Sequence, residues 1–175
     1  KTRLFLWCHD VQLKSWWTED RLKRVEKVLV LSEAHRQTCP WVPDEKIAYT
    51  RNGIIPERHA LERPRDLMRC VYLSSPDRGL ETILEQWKAI KLEVPQAKLD
   101  VYYGFTKNFD ELNRGNAERR AYKAKMMKLL QQPGIRYMGR KPHTDIEVAV
   151  TSANLWLYPC RFLEISCISA MRAQA

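Results

Sequence analysis

The sequence predicts an α/β fold in which parallel strands form an open sheet. Short apolar segments of strand length alternate along the chain with longer segments whose apolar residues recur at the helical period. This alternation implies parallel strands joined by right-handed crossovers. Hydrophobic residues make up 45% of the 175 residues and charged residues 29%, which is typical of a globular chain rather than a disordered one. No apolar run approaches the length of a transmembrane helix.

Three strands are predicted in the first third of the chain. The apolar run at residues 4–8 predicts a buried strand, and the aliphatic run at 28–31 predicts a second one. Residues 47–49 form a short third strand. A short helix is predicted within the polar segment 16–27. Ser32 is the predicted N-cap of another helix, because its hydroxyl can accept a hydrogen bond from a first-turn N–H.

A segment rich in Pro, Arg and Glu, residues 56–66, contains few apolar residues and is the predicted linker. The alternation then resumes. It predicts four strands, at residues 67–73, 98–103, 134–138 and 154–158. Helices are predicted after them, at residues 77–92, 108–131, 144–152 and 165–174. The first of these helices carries Leu80, Ile83, Leu84, Trp87 and Ile90 on one face. Thr144 or Asp145 is the predicted cap of the third.

The cysteines and the net charge limit the classes of function. Five cysteines occur without a CxxC or Cys/His cluster, which argues against a disulfide framework or a zinc site and favours a reducing, cytoplasmic compartment. The net charge is +9, and basic residues concentrate in a helical segment at 114–128. That segment is either a solvated helix face or a surface that attracts phosphates or anionic lipid headgroups. Aromatic residues do not interleave with these charges, so no nucleic-acid partner is expected.

Two strand–helix junctions carry candidate ligand-binding residues, because open α/β sheets bind ligands beyond the carboxyl ends of their strands. At the first junction, Ser74, Ser75, Arg78 and Gly79 lie between a strand and a helix. An anion placed there would meet two hydroxyls, a guanidinium and backbone N–H groups. The alternative is an ordinary capped helix start with a surface arginine.

The second junction runs from a buried strand through Tyr158-Pro159-Cys160-Arg161-Phe162 to Glu164 and a segment of small and apolar residues. The small side chains Ser166 and Cys167 would let a ligand approach the backbone closely. Glu164 is either a ligand-binding carboxylate or a helix cap.

Together these segments resemble the retaining glycosyltransferases of the GT-B architecture, the group 1 family (family 4-like). Arg51-Asn52-Gly53-Ile54 resembles the family's segment between its two domains. Ser75-Pro76-Asp77-Arg78-Gly79-Leu80 is similar to its Pro-Glu-Lys-Gly phosphate loop. Tyr137-Met138-Gly139-Arg140 with Pro142-His143 resembles a strand end of the family, and Glu164-Ile165-Ser166-Cys167-Ile168 resembles the start of its Glu-x7-Glu motif. The resemblance covers nearly the whole chain.

The resemblance implies a binding site for a nucleotide-diphosphate sugar. Arg78 matches the family's phosphate-binding lysine, whereas Ser74 and Ser75 stand near the place of its arginine. Glu164 matches the glutamate that contacts the transferred sugar. The residues implied to lie against the donor are Ser74, Ser75, Arg78, Gly79, Ile165, Ser166, Cys167 and Ile168. Arg172 stands where the family has a ribose-binding glutamate, and an arginine cannot accept hydrogen bonds.

The resemblance also implies the reaction. In the family the leaving diphosphate assists the acceptor hydroxyl on the same face of the sugar, so configuration is retained without a metal or other cofactor. The protein stabilises the charge on the leaving phosphate, and Arg78 and the N-terminus of the helix predicted at Ile165 are suited to this. His9 resembles a family histidine that faces the donor sugar. His35, His59 and His143 are interpreted as surface or loop residues.

The implied architecture has two parts. Residues 1–55 are the last elements of an acceptor-side domain, 56–66 the linker, and 67–175 an incomplete Rossmann-like donor-binding domain. We expect this fragment to be inactive alone, and its acceptor to be a glycan, lipid or protein. A homodimer is plausible through an unfinished sheet edge. Peripheral contact with the inner face of a membrane is a further expectation.

Three alternatives remain open from the sequence. A sugar-phosphate epimerase of the same architecture would need additional acid and base groups. A nucleotide-sugar-binding module without catalysis is favoured by Arg172 and by the missing phosphate-loop arginine. A basic binder of nucleic acid or membrane surfaces would show salt-sensitive retention without a nucleotide effect.

Overall fold

The computed structural model describes residues 2–58 and 63–175. They form two compact units. The first holds the chain up to Ile54 together with Leu163–Met171, and the second holds Ile55–Phe162 and Arg172–Ala175. Each unit contains one open sheet of parallel strands, so the predicted α/β class is confirmed. The sequence assigns residues 163–171 to the second domain, whereas their contacts group them with the first unit.

The first unit has the sheet order β1-β2-β3. Its strands are β1 (Leu4–Trp7), β2 (Val25–Val30) and β3 (Ile47–Tyr49), all parallel. The unit also contains two short helices. Helix α1 (Glu19–Arg24) precedes β2, and helix α2 (Glu33–Gln37) follows it. Each begins at a hydroxyl cap, since Thr18 accepts a hydrogen bond from the N–H of Arg21 and Ser32 accepts one from the N–H of His35.

The prediction that the first strand is buried is wrong. The side chains of Leu4, Phe5, Leu6 and Trp7 are 37–53% exposed. The core of this unit lies instead around β2, and consists of Cys8, Val25, Val28, Val30, Cys39 and Val42. Among the described residues β1 has a sheet neighbour on one side only. An apolar strand is buried only where other elements pack against it, and the composition of the strand does not show whether they do.

The second unit has the sheet order β6-β5-β4-β7. Its parallel strands are β4 (Asp66–Tyr72), β5 (Lys98–Tyr102), β6 (Ile135–Gly139) and β7 (Ala153–Trp156). The helices are α3 (Leu80–Glu93), α4 (Lys107–Leu112), α5 (Ala117–Leu129) and α6 (His143–Ser152). A last helix, α7 (Ile168–Gln174), contains residues of both units.

The main core lies between the second sheet and helices α3 and α5. Four of the five residues predicted on one face of α3 are buried there: Leu80, Ile83, Leu84 and Trp87. The Trp87 indole N–H also donates to the carbonyl of Pro133 at 2.9 Å. A smaller core on the other face of the sheet joins Val71, Leu73 and Tyr102 to α6. Both faces of the sheet are therefore packed, as the parallel arrangement requires.

An ion-pair network crosses the second sheet. The carboxylate of Asp100, which is 2% exposed, accepts two hydrogen bonds of 2.6 Å from the guanidinium of Arg136 on the next strand. The Nε of Arg69 lies 3.8 Å from the same carboxylate. Asp66 and Lys98 extend the network at its exposed side, with a 2.9 Å contact. The buried charge of Asp100 is thus paired with the partly exposed guanidinium of Arg136.

Several predicted helix bounds are corrected by local chemistry. Helix α3 begins at Leu80 rather than residue 77, after a turn that ends in the left-handed Gly79. The single helix predicted at 108–131 is two helices, separated where Asn116 caps the second. Helix α6 follows Pro142 and has no side-chain cap, so neither Thr144 nor Asp145 fills that role.

The basic segment of α5 is partly neutralised. Lys123 lies 2.5 Å from a carboxylate oxygen of Asp110, and Lys125 lies 2.6 Å from carboxylate oxygens of both Glu81 and Glu85. These pairs favour the interpretation of a solvated, ion-paired helix face.

The predicted linker contains a 3-10 turn at Pro56–Arg58 and the first residue of β4. Residues 59–62, and with them His59, lie outside the described residues. Within residues 2–58 and 63–175, none of the helices is long and apolar enough to cross a bilayer.

Candidate functional site

The candidate site of the second unit lies beyond the carboxyl ends of β4 and β7. These strands are parallel neighbours, with Cys70 opposite Leu155 and Val71 opposite Trp156. The loops that follow them therefore leave the sheet side by side. They are the phosphate-loop candidate at residues 73–79 and the loop at residues 157–162. The structure thus brings the first junction next to the beginning of the second.

The loop after β4 is fixed by hydrogen bonds to its backbone. The N–H of Arg78 donates to the carbonyl of Ser75 at 3.0 Å, which closes a turn. The Tyr72 hydroxyl donates to the same carbonyl at 2.7 Å, and the Tyr122 hydroxyl of α5 donates to the carbonyl of Pro76 at 3.0 Å. Burial raises the pKa of Tyr122 to about 12, so this hydroxyl remains a donor at neutral pH. Two tyrosines therefore hold the loop in one conformation.

The serines and the acidic residue of this loop have different surroundings. Ser74 and Ser75 are both half-buried. The Ser75 hydroxyl donates to the carboxylate of Asp77 within the loop. Asp77 itself is exposed and carries a negative charge beside Arg78. The loop therefore offers an anion one guanidinium and one competing carboxylate.

Gly79 lies at a close approach between the backbones of the two loops. Its φ of +100° lies in the left-handed region, which favours glycine. A Cβ atom placed on Gly79 would lie 2.3 Å from the carbonyl oxygen of Pro159 and 2.8 Å from its carbonyl carbon. Only a residue without a side chain permits this approach between the backbones of the two loops.

The guanidinium of Arg78 stacks on an aromatic ring of the neighbouring loop. Its Cζ atom lies 3.1 Å from the centroid of Phe162, a cation–π arrangement. The loop that carries Phe162 is shaped by Cys160, whose sulfur accepts from the N–H of Phe162 at 3.3 Å. Sequence reasoning singled out Arg78 but not Phe162 as its partner. Phe162 could have been found only from the pairing of β4 with β7.

The segment that contains Glu164 belongs to the first unit. The Ser32 hydroxyl donates to the carbonyl of Ile165 at 2.5 Å, and the Asn52 side-chain amide donates to the carbonyl of Ser166 at 3.2 Å. Residues 165–167 are not helical, because α7 begins at Ile168. The helix N-terminus predicted at Ile165 is therefore wrong, and Glu164 is not its cap. Arg78 lies in the second unit, so a shared site for Glu164 and Arg78 stays a prediction.

His9 follows β1 and is exposed, with its ring centroid 4.6 Å from that of Trp7. His35, by contrast, is fully buried, which corrects its interpretation as a surface or loop residue. Its Nδ1 accepts from the N–H of Leu31 at 3.1 Å, and its Nε2 lies 3.1 Å from the carbonyl oxygen of Asp10. Because Nδ1 accepts, Nε2 carries the proton and donates to Asp10. The imidazole thus ties the segment after His9 to the end of β2.

Acid should destabilise the first unit through His35. Burial lowers its pKa from the ordinary 6.5, so the unfolded chain binds more protons below that pH and stability falls as the pH falls. From pH 7.5 to 5.5 we expect a loss of about 1.4 kcal/mol at most. Urea unfolding followed by tryptophan fluorescence measures it. His35→Gln should lack this loss and His143→Gln, at an exposed histidine, should retain it. An unchanged pH dependence in His35→Gln would contradict the assignment.

Arg172, at the position of the implied ribose-binding residue, contacts His143. Its Nη2 lies 3.1 Å from the Nδ1 of His143 at the start of α6. His143 is exposed, as predicted. When the Nδ1 of His143 accepts, the Arg172 guanidinium donates to it. This contact holds the guanidinium near the carboxyl end of β6. Whether Arg172 contacts a ribose stays a prediction.

The fold is α/β, with the candidate ligand-binding residues of the second unit at the carboxyl ends of its parallel strands. No protein-family model matches the chain, and no curated protein matches it in sequence. Solved structures match it along 98% of its length. They show the fold, which agrees with the GT-B architecture that the sequence resembles.

Three of these structures illustrate the similarity. HepE of Anabaena, solved with UDP and glucose, is 13% identical with a TM-score of 0.64, and half (50%) of its chain is covered. TarM of S. aureus, solved with Fondaparinux, alpha-GlcNAc-glycerol and UDP, is 15% identical with a TM-score of 0.67 and 34% coverage. The pneumococcal O-GlcNAc transferase GtfA, solved with UDP and GlcNAc, is 12% identical with a TM-score of 0.64 and 35% coverage. The chain thus spans between about a third and a half of their lengths.

Proposed function

We propose that this chain is part of a glycosyltransferase that binds a nucleotide-diphosphate sugar. The observation that carries the proposal is the Arg78 loop, held by two tyrosines at the carboxyl end of β4 and packed against the loop after β7. The GT-B fold supports it, since structures with this fold were solved with UDP. The proposal includes the activity of the whole protein, which is the transfer of the sugar to an acceptor.

In this proposal Arg78 binds the diphosphate. A guanidinium binds phosphate oxygens with charge-assisted hydrogen bonds. Helix α3 begins directly after the loop, and its 14 residues direct the positive end of their dipole toward the same place. Together they would stabilise the negative charge that grows on the leaving diphosphate. Ser74 is a nearby hydroxyl donor, whereas the Ser75 hydroxyl already donates to Asp77.

The finer points of the proposal follow the sequence resemblance. We assign transfer with retention of configuration, with Glu164 contacting the sugar, His9 facing it, and residues 165–168 lying against the donor. No metal or other cofactor is assigned a role. A cytoplasmic site of action fits the five cysteines, all of which are thiols in the structure.

Arg78→Ala should weaken nucleotide binding by roughly 1.5–3 kcal/mol, because it removes a charge-assisted hydrogen bond. Calorimetric titration with UDP, GDP and ADP at two salt concentrations measures this and also identifies the base. Asp77→Asn removes the competing negative charge and should strengthen binding instead. Arg65→Ala is the control, since Arg65 is exposed and precedes β4 at the opposite end of the strand.

Two results would count against the proposal. Equal affinities in the Arg78→Ala variant and the unchanged chain would remove Arg78 from the binding site. Absence of saturable binding for all three nucleotides in the unchanged chain would contradict the proposed function and leave only the similarity in fold.

A second candidate is a nucleotide-sugar-binding module without catalysis. The contact between Arg172 and His143 favours it, because it places a donor where a ribose-binding carboxylate is expected from the resemblance. Binding of nucleotide sugar by the whole protein, without its hydrolysis or transfer, would support this candidate.

A further inference from the structure

A cleft opens within the first unit at the carboxyl ends of β2 and β3. Its volume is about 570 Å³, within the range of small-molecule sites. All of its lining residues belong to this unit, among them Ser32, Glu33, Tyr49, Thr50, Arg51 and Ile165. The cleft therefore lies where open α/β sheets bind ligands.

Tyr49 provides an aromatic wall that is held in place. Its side chain is exposed (56%), and its hydroxyl donates to Oε2 of Glu33 at 2.6 Å. This hydrogen bond raises the pKa of Tyr49, so the phenol stays protonated and the contact persists at neutral pH. Tyr49 thus lines the cleft as an exposed ring that is fixed at its polar end.

The polar groups of the cleft are complementary in charge. Glu33 supplies carboxylate oxygens that accept hydrogen bonds, and the exposed Arg51 supplies guanidinium N–H donors. Their charges sum to zero, so the cleft favours neither an anion nor a cation. The Ser32 hydroxyl is already engaged with the carbonyl of Ile165. The groups left to a ligand suit a neutral molecule that has several donors and acceptors and an apolar face.

We propose that this cleft binds a saccharide, with a pyranose ring lying on Tyr49 and its hydroxyls bound by Glu33 and Arg51. A sugar ring presents C–H groups on its face and hydroxyls at its edge, which matches an aromatic wall bordered by a carboxylate and a guanidinium. The inference rests on the proposed function and makes it more specific, because it assigns a sugar as the acceptor.

Saturation-transfer difference NMR with methyl α-D-glucopyranoside, N-acetylglucosamine and maltose tests this directly, with glycerol as the acyclic control. We expect signals from the ring protons of at least one saccharide and none from glycerol. Tyr49→Ala should weaken that binding about three- to tenfold, whereas Tyr49→Phe, which keeps the ring, should have a smaller effect. Trp16→Ala is the matched control, because Trp16 is also an exposed aromatic residue of this unit (62%) and lies outside the cleft.

Each outcome decides the proposal separately from the nucleotide site. No signal from any of the three saccharides, or equal loss of affinity in Tyr49→Ala and Trp16→Ala, overturns it. Because Tyr49 is exposed, Tyr49→Ala should keep the unfolding midpoint of the unchanged chain, and this is measured alongside. Nucleotide titration is run on the same samples. Nucleotide binding without saccharide binding overturns the subsite alone, whereas absence of nucleotide binding contradicts the proposed function.

Discussion

Replacing Gly79 with alanine should destabilise the second unit by about 2–5 kcal/mol. A left-handed conformation costs a residue with a Cβ about 1–2 kcal/mol, and overpacking costs about 1–3 kcal/mol more. The new Cβ would lie 2.3 Å from the carbonyl oxygen of Pro159. Because this neighbour is backbone, relief requires the loop after β7 to move, and that loop carries the aromatic partner of Arg78.

Urea unfolding of Gly79→Ala, followed by tryptophan fluorescence, measures the loss. The matched control is Gly115→Ala, since Gly115 lies in the same unit without a left-handed φ and with open space around its Cβ position. We expect that variant to be close to neutral. A Gly79→Ala variant as stable as Gly115→Ala would show that the two loops do not pack as described.

Replacing Asp100 with alanine should cost about 3 kcal/mol of unfolding free energy in the second unit. The carboxylate is buried and accepts two hydrogen bonds from Arg136, and the Nε of Arg69 lies 3.8 Å from it. Removing one member of a buried ion pair leaves the others without compensation, which costs about 3–5 kcal/mol. The lower figure applies because the Arg136 side chain is 54% exposed and can be solvated by water.

Asp110→Ala provides the comparison, because it also removes an aspartate from an ion pair. Its carboxylate is 53% exposed and pairs with Lys123 on the surface, so the expected loss is below about 1 kcal/mol. Chemical denaturation of both variants at neutral pH gives the difference directly. Similar losses in the two variants would mean that Asp100 contributes no more than a surface charge.

The parts of the fold that depend on neighbours close in sequence were predicted well. The apolar face of α3 is a local pattern, and its members Leu80, Leu84 and Trp87 are buried as expected. Ser32 caps α2 because the N–H that it accepts lies three residues away. The adjacency of the two junctions, by contrast, depends on the pairing of β4 with β7, which are distant in sequence, and no strand order is predicted from the sequence.

Two of the wrong predictions concern residues that contact distant parts of the chain. His35 looks like a surface residue of a short helix, and its burial is decided by contacts with Leu31 and with Asp10, 25 residues away. The sequence predicts a helix from residue 165, but Ser32 and Asn52, more than a hundred residues earlier, bind the Ile165 and Ser166 carbonyls. The composition of a short segment does not identify partners that lie so far away in the sequence.

The stack of Arg78 on Phe162 affects the entropy of ligand binding. A flexible arginine side chain has about 2 kcal/mol of rotamer freedom to lose when it is immobilised. Here the ring occupies the face of the guanidinium, while its N–H donors lie in the plane at its edge. Part of that freedom is therefore lost during folding, before any anion arrives. The ring preorganises Arg78, so in the proposed site an anion would be bound with a smaller entropic penalty rather than through an additional contact.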